Sequence, residues 1–130
     1  MSNEDSPVTI IVGGGGSIGS AVARKLAARG GKLMVAGRKA ERLERIAAET
    51  GAEVFPLDAR DSAAVEAMMA SVQTSHGRVD GVVNCAGSIL LKPAHLISDQ
   101  EFADTVALNL TTAFNVLRAT VRLMMKQAGG

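Results

Sequence analysis

The chain has 130 residues, with 14 Lys and Arg against 13 Asp and Glu and a formal net charge of +1. That length encloses one hydrophobic core, and the charge balance implies no basic face large enough to suggest nucleic acid. Aromatic residues make up 2% of the chain, three Phe with no Trp and no Tyr, so the core is left to aliphatic side chains and Met. Cys85 is the only cysteine, which excludes an intramolecular disulfide and makes cytoplasm the expected compartment. The polar, acidic start from Met1 to Pro7 is unlike a secretory signal, and no apolar run approaches the ~20 residues of a membrane span.

Val8 to Val12 is a β-branched run ending in glycines, which predicts a strand buried on both faces, as in a parallel sheet. From Ser17 to Arg29, Ile18, Val22 and Leu26 recur every four residues with Ala21 and Ala28 beside them. They predict a helix with that apolar stripe, stopped by Gly30 and Gly31. Leu33 to Ala36 reads as a second strand, and Leu43, Ile46 and Ala47 as the inner stripe of a helix from about Ala40 to Thr50, closed by Gly51. Glu53 to Leu57 is the third strand, and Pro56 near its end places it at or near a sheet edge.

Asp61 and Ser62 offer caps to the next helix, whose stripe is Val65, Met68, Met69 and Val72. It ends at His76 and Gly77, with His76 suited to the negative end of the helix dipole. Val79 to Asn84 is the fourth strand. After a loop holding Pro93 and His95, Ser98 and Glu101 have the spacing of a capping box. Leu110, Phe114, Leu117, Val121 and Met124 then give a long helix one strong apolar face. Strands alternating with helices predict an α/β fold, a doubly wound parallel sheet with helices on both faces. The pattern stops at Gly129 and Gly130, where a turn into a fifth strand is expected. Residues 1–130 therefore read as a single domain of this kind, truncated after about four strands.

The chemistry gathers at the carboxyl ends of the strands. Gly13, Gly14, Gly15, Gly16, Ser17, Ile18 and Gly19 join the first strand to the first helix. There a Rossmann-type loop brings peptide N–H groups and a helix amino end against a pyrophosphate. A Walker loop would need Lys and Ser or Thr directly after its last glycine, whereas Ser20 follows Gly19. A methyltransferase glycine loop and a purely structural turn both stay open on this motif alone. The second strand ends in Ala36, Gly37 and Arg38, where dinucleotide-binding folds read the adenosine ribose. No carboxylate stands there to hydrogen-bond a 2′-hydroxyl. The guanidinium of Arg38 and the charge of Lys39 suit a 2′-phosphate, so NADP(H) is expected ahead of NAD(H). No metal site is read from the sequence.

Asp58 and Ala59 follow the third strand, and Asn84, Cys85, Ala86 and Gly87 follow the fourth. The glycine loop, Leu57 with Asp58, the Asn-Cys-Ala-Gly run and Asn109 within Leu108-Asn109-Leu110 resemble, in order and spacing, the short-chain dehydrogenase/reductase family over nearly the whole chain. The resemblance implies an oxidoreductase acting on a carbonyl or secondary alcohol, the identity of that small substrate being open. It implies that Gly13, Gly15, Gly16, Ser17, Ile18, Gly19, Arg38, Lys39, Asp58, Ala59, Asn84, Ala86 and Gly87 bind the cofactor. Within that set Asp58 would hold the adenine amino group, and Asn84 to Gly87 would line the cofactor and brace the sheet. Asn109 would belong to the catalytic tetrad, helping to hold a water in a proton relay.

Three positions depart from the family pattern. Val12 stands where the family usually has Thr, Ser17 where the classical members have their second glycine while Gly16 matches the spacing of extended and atypical members, and Cys85 where a second Asn is commoner. Cys85 itself reads as a small buried residue with no catalytic part, and His95 as a loop residue. Asn109 is costly inside a helix, where its amide competes for backbone bonds, so something must offset it.

Carbonyl reduction needs a proton donor, which the family supplies with a Tyr beside a Lys. This chain has no Tyr, so by itself it is expected to be inactive and to supply the cofactor-binding half. The rival reading is a non-catalytic nucleotide-binding module. A fourth strand without a neighbour and apolar helix faces without cover predict self-association, with the helix carrying Asn109 as the interface.

Overall fold

The computed structural model describes residues 5–128. The first four residues of the acidic start, and the Gly129-Gly130 pair where a turn toward a fifth strand is expected, lie outside that range. The elements run β1 (Val8–Val12), α1 (Ser17–Ala28), β2 (Lys32–Gly37), α2 (Ala40–Thr50), β3 (Glu53–Pro56), α3 (Ser62–His76) and β4 (Gly81–Asn84). A single 3-10 turn, Ala94–Leu96, precedes α4 (Asp99–Val106), which passes through a π-helical turn at Ala107–Thr111 into α5 (Thr112–Met124).

All strand pairs are parallel, in the order β3-β2-β1-β4. The register pairs Val12 with both Ala36 and Asn84, and Gly37 with Pro56, so the four carboxyl ends finish level along one edge. Pro56 lies on an edge strand, where its missing N–H breaks no ladder. Successive side chains of a strand point to opposite faces, and each face has its own core. Val8, Ile10, Val12, Met34 and Ala36 pack with Val65, Met68, Met69 and Val72 of α3 and with Val116 and Ala119 of α5. Ile11, Leu33 and Val35 pack with Ala23 of α1 and with Leu43 and Ile46 of α2. This is the doubly wound α/β arrangement.

The caps follow the local sequence. Asp61 accepts from the N–H groups of Ala63 and Ala64, and Ser98 and Glu101 form the full capping box at α4. Gly51 and Gly77, both with positive φ, close α2 and α3.

Three details differ from the sequence reading. Ile18 is 74% exposed, and the buried residues of α1 are Gly19 and Ala23. The close approach of Gly19 to the glycine loop sets the helix rotation and turns Ile18 outward. β4 begins at Gly81, because the N–H and C=O of Val79 bond the side-chain amide of Gln127, at 3.2 and 2.5 Å, ahead of the ladder.

The third difference is the largest. Leu110, Phe114, Leu117 and Val121 face outward, Leu110 at 67% exposure and Leu117 at 64%. The buried face of α5 is Thr112, Asn115, Val116 and Ala119. Small side chains there let α5 lie close to the sheet and α3, and the π turn widens the helix by about one residue and rotates the turns beyond it.

Candidate functional site

The level carboxyl ends open into a cleft of about 300 Å³. Its wall includes Gly13, Gly15 and Gly16 of the glycine loop, Arg38 and Lys39 after β2, Asp58 and Ala59 after β3, and Ala86 and Gly87 after β4. Nine of the residues singled out by sequence thus share one surface. Ser17, Ile18 and Gly19 form the opening turn of α1 beside it, while Asn84 and Asn109 stand behind its β4 wall.

The loop is shaped by close backbone approach. Gly13 has φ +77°, and a Cβ there would lie 2.6 Å from both the Ala86 nitrogen and the Cys85 carbonyl carbon. A Cβ on Gly14 would come within 2.8 Å of the Val35 side chain, and one on Gly19 would run into the Gly13 carbonyl oxygen. At Gly16 the nearest atom would be at an ordinary 3.5 Å, so that glycine is not sterically required. The Gly13 and Gly14 N–H groups both donate to the Ala36 carbonyl, at 2.7 and 3.1 Å, tying the loop to β2. Gly16 provides no side-chain cap for α1, and no acidic residue stands in the first turn. The opening N–H groups of a helix have no acceptor within it, and here the positive end of the dipole meets the cleft uncompensated. The cradle and the uncapped helix fit a diphosphate.

Arg38 and Lys39 are exposed beside the cleft, joined by Arg42 from the first turn of α2. Arg42 was missed from sequence; its position four residues beyond Arg38 on a helix facing the glycine loop was the available signal. Its stem packs on the loop, since a Cβ on Gly15 would sit 2.9 Å from the Arg42 Cβ. Among the described residues six ion pairs form, using Arg24, Arg60, His76, Arg78, Lys92 and Arg122, and none involves these three cations.

On the opposite wall Arg60 grips Asp58. Its Nε donates to both carboxylate oxygens at 3.0 Å and its NH2 group to one at 2.6 Å. Those bonds hold the Asp58 carboxyl below the usual carboxylate range against the opposing effect of burial, with the charge of Arg38 adding in the same direction. Asn115, buried on α5 and also missed from sequence, donates to the carbonyls of Ala59 and Arg60 at 2.9 and 3.1 Å.

Asn84 ends β4 with its side-chain oxygen accepting from the Ala86 N–H at 3.1 Å. Cys85 lines the cleft, and burial pushes its thiol pKa up, away from the reactive thiolate. Asn109 lies within the π turn. Its amide donates to the carbonyls of Ser88 and Thr105, both at 2.9 Å, and its oxygen accepts from the Ser88 N–H at 3.1 Å. These bonds offset the helical cost of Asn and pin the segment after β4. A Cβ on Gly87 would lie 2.8 Å from the Asn109 oxygen, so a side chain there would have to displace the Asn109 amide from its bonds to Ser88. His76 pairs with Glu53 at 2.9 Å, and His95 is exposed in the 3-10 turn, both away from the cleft.

The family model for short chain dehydrogenase matches residues 7–130. The chain belongs to the short-chain dehydrogenase family. Among relatives of that family, the 2,3-dihydro-2,3-dihydroxybenzoate dehydrogenase of Bacillus subtilis is 34% identical over 131 residues, which cover 97% of this chain and 50% of the relative. Actinorhodin polyketide ketoreductase, solved with NADPH, superposes with TM-score 0.90 at 28% identity, over 99% of this chain and 52% of that one. An NAD+-bound xylitol dehydrogenase superposes with TM-score 0.88 at 32% identity, over 95% and 50%. The chain spans about half the length of the curated relatives it matches. Short-chain dehydrogenases are oxidoreductases that bind a nicotinamide dinucleotide, and neighbours of both phosphorylation states share this fold. Among the described residues no helix is long and apolar enough to cross a membrane.

Proposed function

We propose that residues 1–130 form the cofactor-binding domain of an NADP(H)-dependent short-chain dehydrogenase that interconverts a small carbonyl compound and a secondary alcohol. The observation that carries this reading is the trio Arg38, Lys39 and Arg42, cationic, beside the glycine-loop cleft and in none of the described ion pairs. Unpaired cations with no carboxylate at the end of β2 suit a 2′-phosphate better than a ribose diol.

The diphosphate then lies against the loop of Gly13, Gly15 and Gly16 and the opening turn of Ser17, Ile18 and Gly19. Asp58 and Ala59 meet the adenine, and Asn84, Ala86 and Gly87 line the path toward the nicotinamide. The bound dinucleotide supplies or accepts the hydride. Asn109 is the catalytic-group member this chain contributes: it fixes the segment after β4 and, in the π turn, frees helical backbone to hold a relay water. With no Tyr, the chain lacks the phenolic acid that would protonate the forming alkoxide, and alone it is inactive. That same lack favours a second reading, a nucleotide-binding module without turnover.

A second copy of the chain is the proposed cover for the outward stripe of Leu110, Phe114, Leu117 and Val121, giving a homo-oligomer. A reducing cytoplasm suits the free Cys85 thiol, and the net charge of +1 gives no hold on nucleic acid.

Calorimetric titration with NADPH and NADH tests the cofactor reading. A charge-assisted hydrogen bond contributes ~1.5–3 kcal/mol, so Arg38→Asp should cut the NADPH preference by about 10- to 100-fold. An unchanged preference refutes the role of Arg38, and absent binding of either nucleotide refutes the site. NADPH binding without turnover on any carbonyl, even with the remainder of a full-length relative supplied, would favour the module.

A further inference from the structure

We infer that Asn115 is a positioning residue that aims Asp58 into the cleft. Asn115 is 5% exposed and sits on the buried face of α5 between the small or aliphatic contacts Thr112, Val116 and Ala119. A polar side chain at such a place is destabilising unless its hydrogen bonds are made. Its two amide bonds go to consecutive carbonyls, Ala59 and Arg60, more than fifty residues earlier in the chain.

The same two peptide planes are held at their other ends by Asp58. The Arg60 N–H, opposite the Ala59 carbonyl, donates to the Asp58 carboxylate at 3.0 Å. The Asp61 N–H, opposite the Arg60 carbonyl, donates to the Asp58 carbonyl at 3.0 Å. Each plane is therefore fixed from both sides, with Asn115 as the anchor on the core side and Asp58 as the group on the cleft side. The Arg60 guanidinium, carried by the same backbone, closes on the carboxylate. Removing the Asn115 amide leaves the buried Ala59 carbonyl and the part-buried Arg60 carbonyl without their donor and frees both planes to turn, and the Asp58 carboxylate turns with them. Asn115 does not itself line the cleft, so its effect on a ligand passes through the Asp58 segment.

This rests on the proposed reading of the cleft, in which Asp58 accepts the adenine amino group. The test uses the whole 130-residue chain and two probes: NADPH, and its hypoxanthine analogue, in which the base carries a carbonyl in place of the amino group. The wild type is expected to bind NADPH about tenfold more tightly, the value of one hydrogen bond of ordinary strength to a charged acceptor. In Asn115→Leu, which matches the side chain in size, that ratio should fall to about threefold or less, while the NADPH-to-NADH ratio set by Arg38 stays unchanged. Adding Asn115→Leu to Asp58→Ala should then lower the ratio no further.

A folded Asn115→Leu that binds both probes more weakly by the same factor overturns the inference, since Asn115 would then only brace the core. If circular dichroism shows the Leu variant unfolded, Asn115→Ser, which keeps a shortened donor, is held to the same ratio. A wild type that binds both probes equally removes the Asp58 reading and the inference with it. A wild type that binds neither probe removes the cofactor site altogether.

Discussion

Replacing Gly13 with Ala separates a glycine required by geometry from one tolerated by it. Gly13 adopts φ +77°, and its added Cβ would stand 2.6 Å from the Ala86 nitrogen and the Cys85 carbonyl carbon. Both are backbone atoms at the end of β4 and have no rotamer into which to retreat. Left-handed backbone costs a non-glycine residue about 1–2 kcal/mol, and overpacking a close-fitted site a further ~1–3 kcal/mol. Gly13→Ala should therefore lose about 2–5 kcal/mol of the ~5–15 kcal/mol that holds a typical domain folded. With a urea slope near ~2 kcal/mol/M, that lowers the unfolding midpoint by about 1–2.5 M. Gly16 is the matched control, with φ −80° and nothing nearer than 3.5 Å to an added Cβ. Gly16→Ala, at the α1 N-cap where Ala caps less well than Gly, should lose no more than about 1 kcal/mol. Urea melts of the three proteins, followed by circular dichroism, give the result directly. Equal midpoints for the Gly13 and Gly16 variants would refute the claim that the loop is fixed by close contact with β4.

Leu117→Glu together with Phe114→Glu should abolish self-association without loss of stability, because both side chains are exposed; sedimentation velocity that still shows oligomers would place the interface elsewhere. Asn109→Leu removes the partners of the Ser88 N–H and C=O and should cost about 1–3 kcal/mol. Hydrogen exchange at the Ser88 amide should quicken accordingly, and an unchanged rate would contradict the clamp. Asp58 is one of the carboxyls that contribute to acid unfolding, and Arg60 holds it below the usual range. Its stabilising contribution is complete above the unfolded carboxyl value near ~3.9 and is lost as pH falls through the lower folded value. Asp58→Asn should accordingly flatten the stability profile across that acid window, whereas an identical slope in both proteins would show that the Arg60 contact contributes nothing.

Most of the strands and helices α2 and α3 were legible because each carries a continuous apolar run or stripe and a local punctuation mark, whereas α1 turns Ile18 of its expected stripe outward. The β-branched run of β1 and the apolar run Leu33 to Ala36 of β2 are buried on both sides, and Gly51 and Gly77 take the positive φ that ends α2 and α3. The long helix was harder, for a reason that periodicity cannot overcome. It carries two stripes, and the more hydrophobic one, through Leu110, Phe114, Leu117 and Val121, faces outward. The buried stripe holds Thr112 and Asn115, which look like surface residues until their bonds to Leu108, Ala59 and Arg60 are seen. In the cleft, residues next to glycines or at strand ends could be read from sequence, because the backbone itself makes that part of the site. Arg42 and Asn115 act across elements, and no local pattern announces a contact made with a distant part of the chain.

Those cross-element bonds also explain why one helix bears on both ends of the cleft. Asn109 holds the segment after β4 through Ser88, and Asn115 holds the segment after β3 through Ala59 and Arg60. The two asparagines lie on one continuous helical rod, with the π turn at Asn109 and regular α-helix at Asn115. The sheet ladders set the distance between β3 and β4, while this helix fixes the segments that follow each of them. Its outward apolar face lies opposite the side that carries Thr112, Asn115 and Val116, so the residues that hold the cleft segments and the exposed apolar stripe occupy separate faces of one helix.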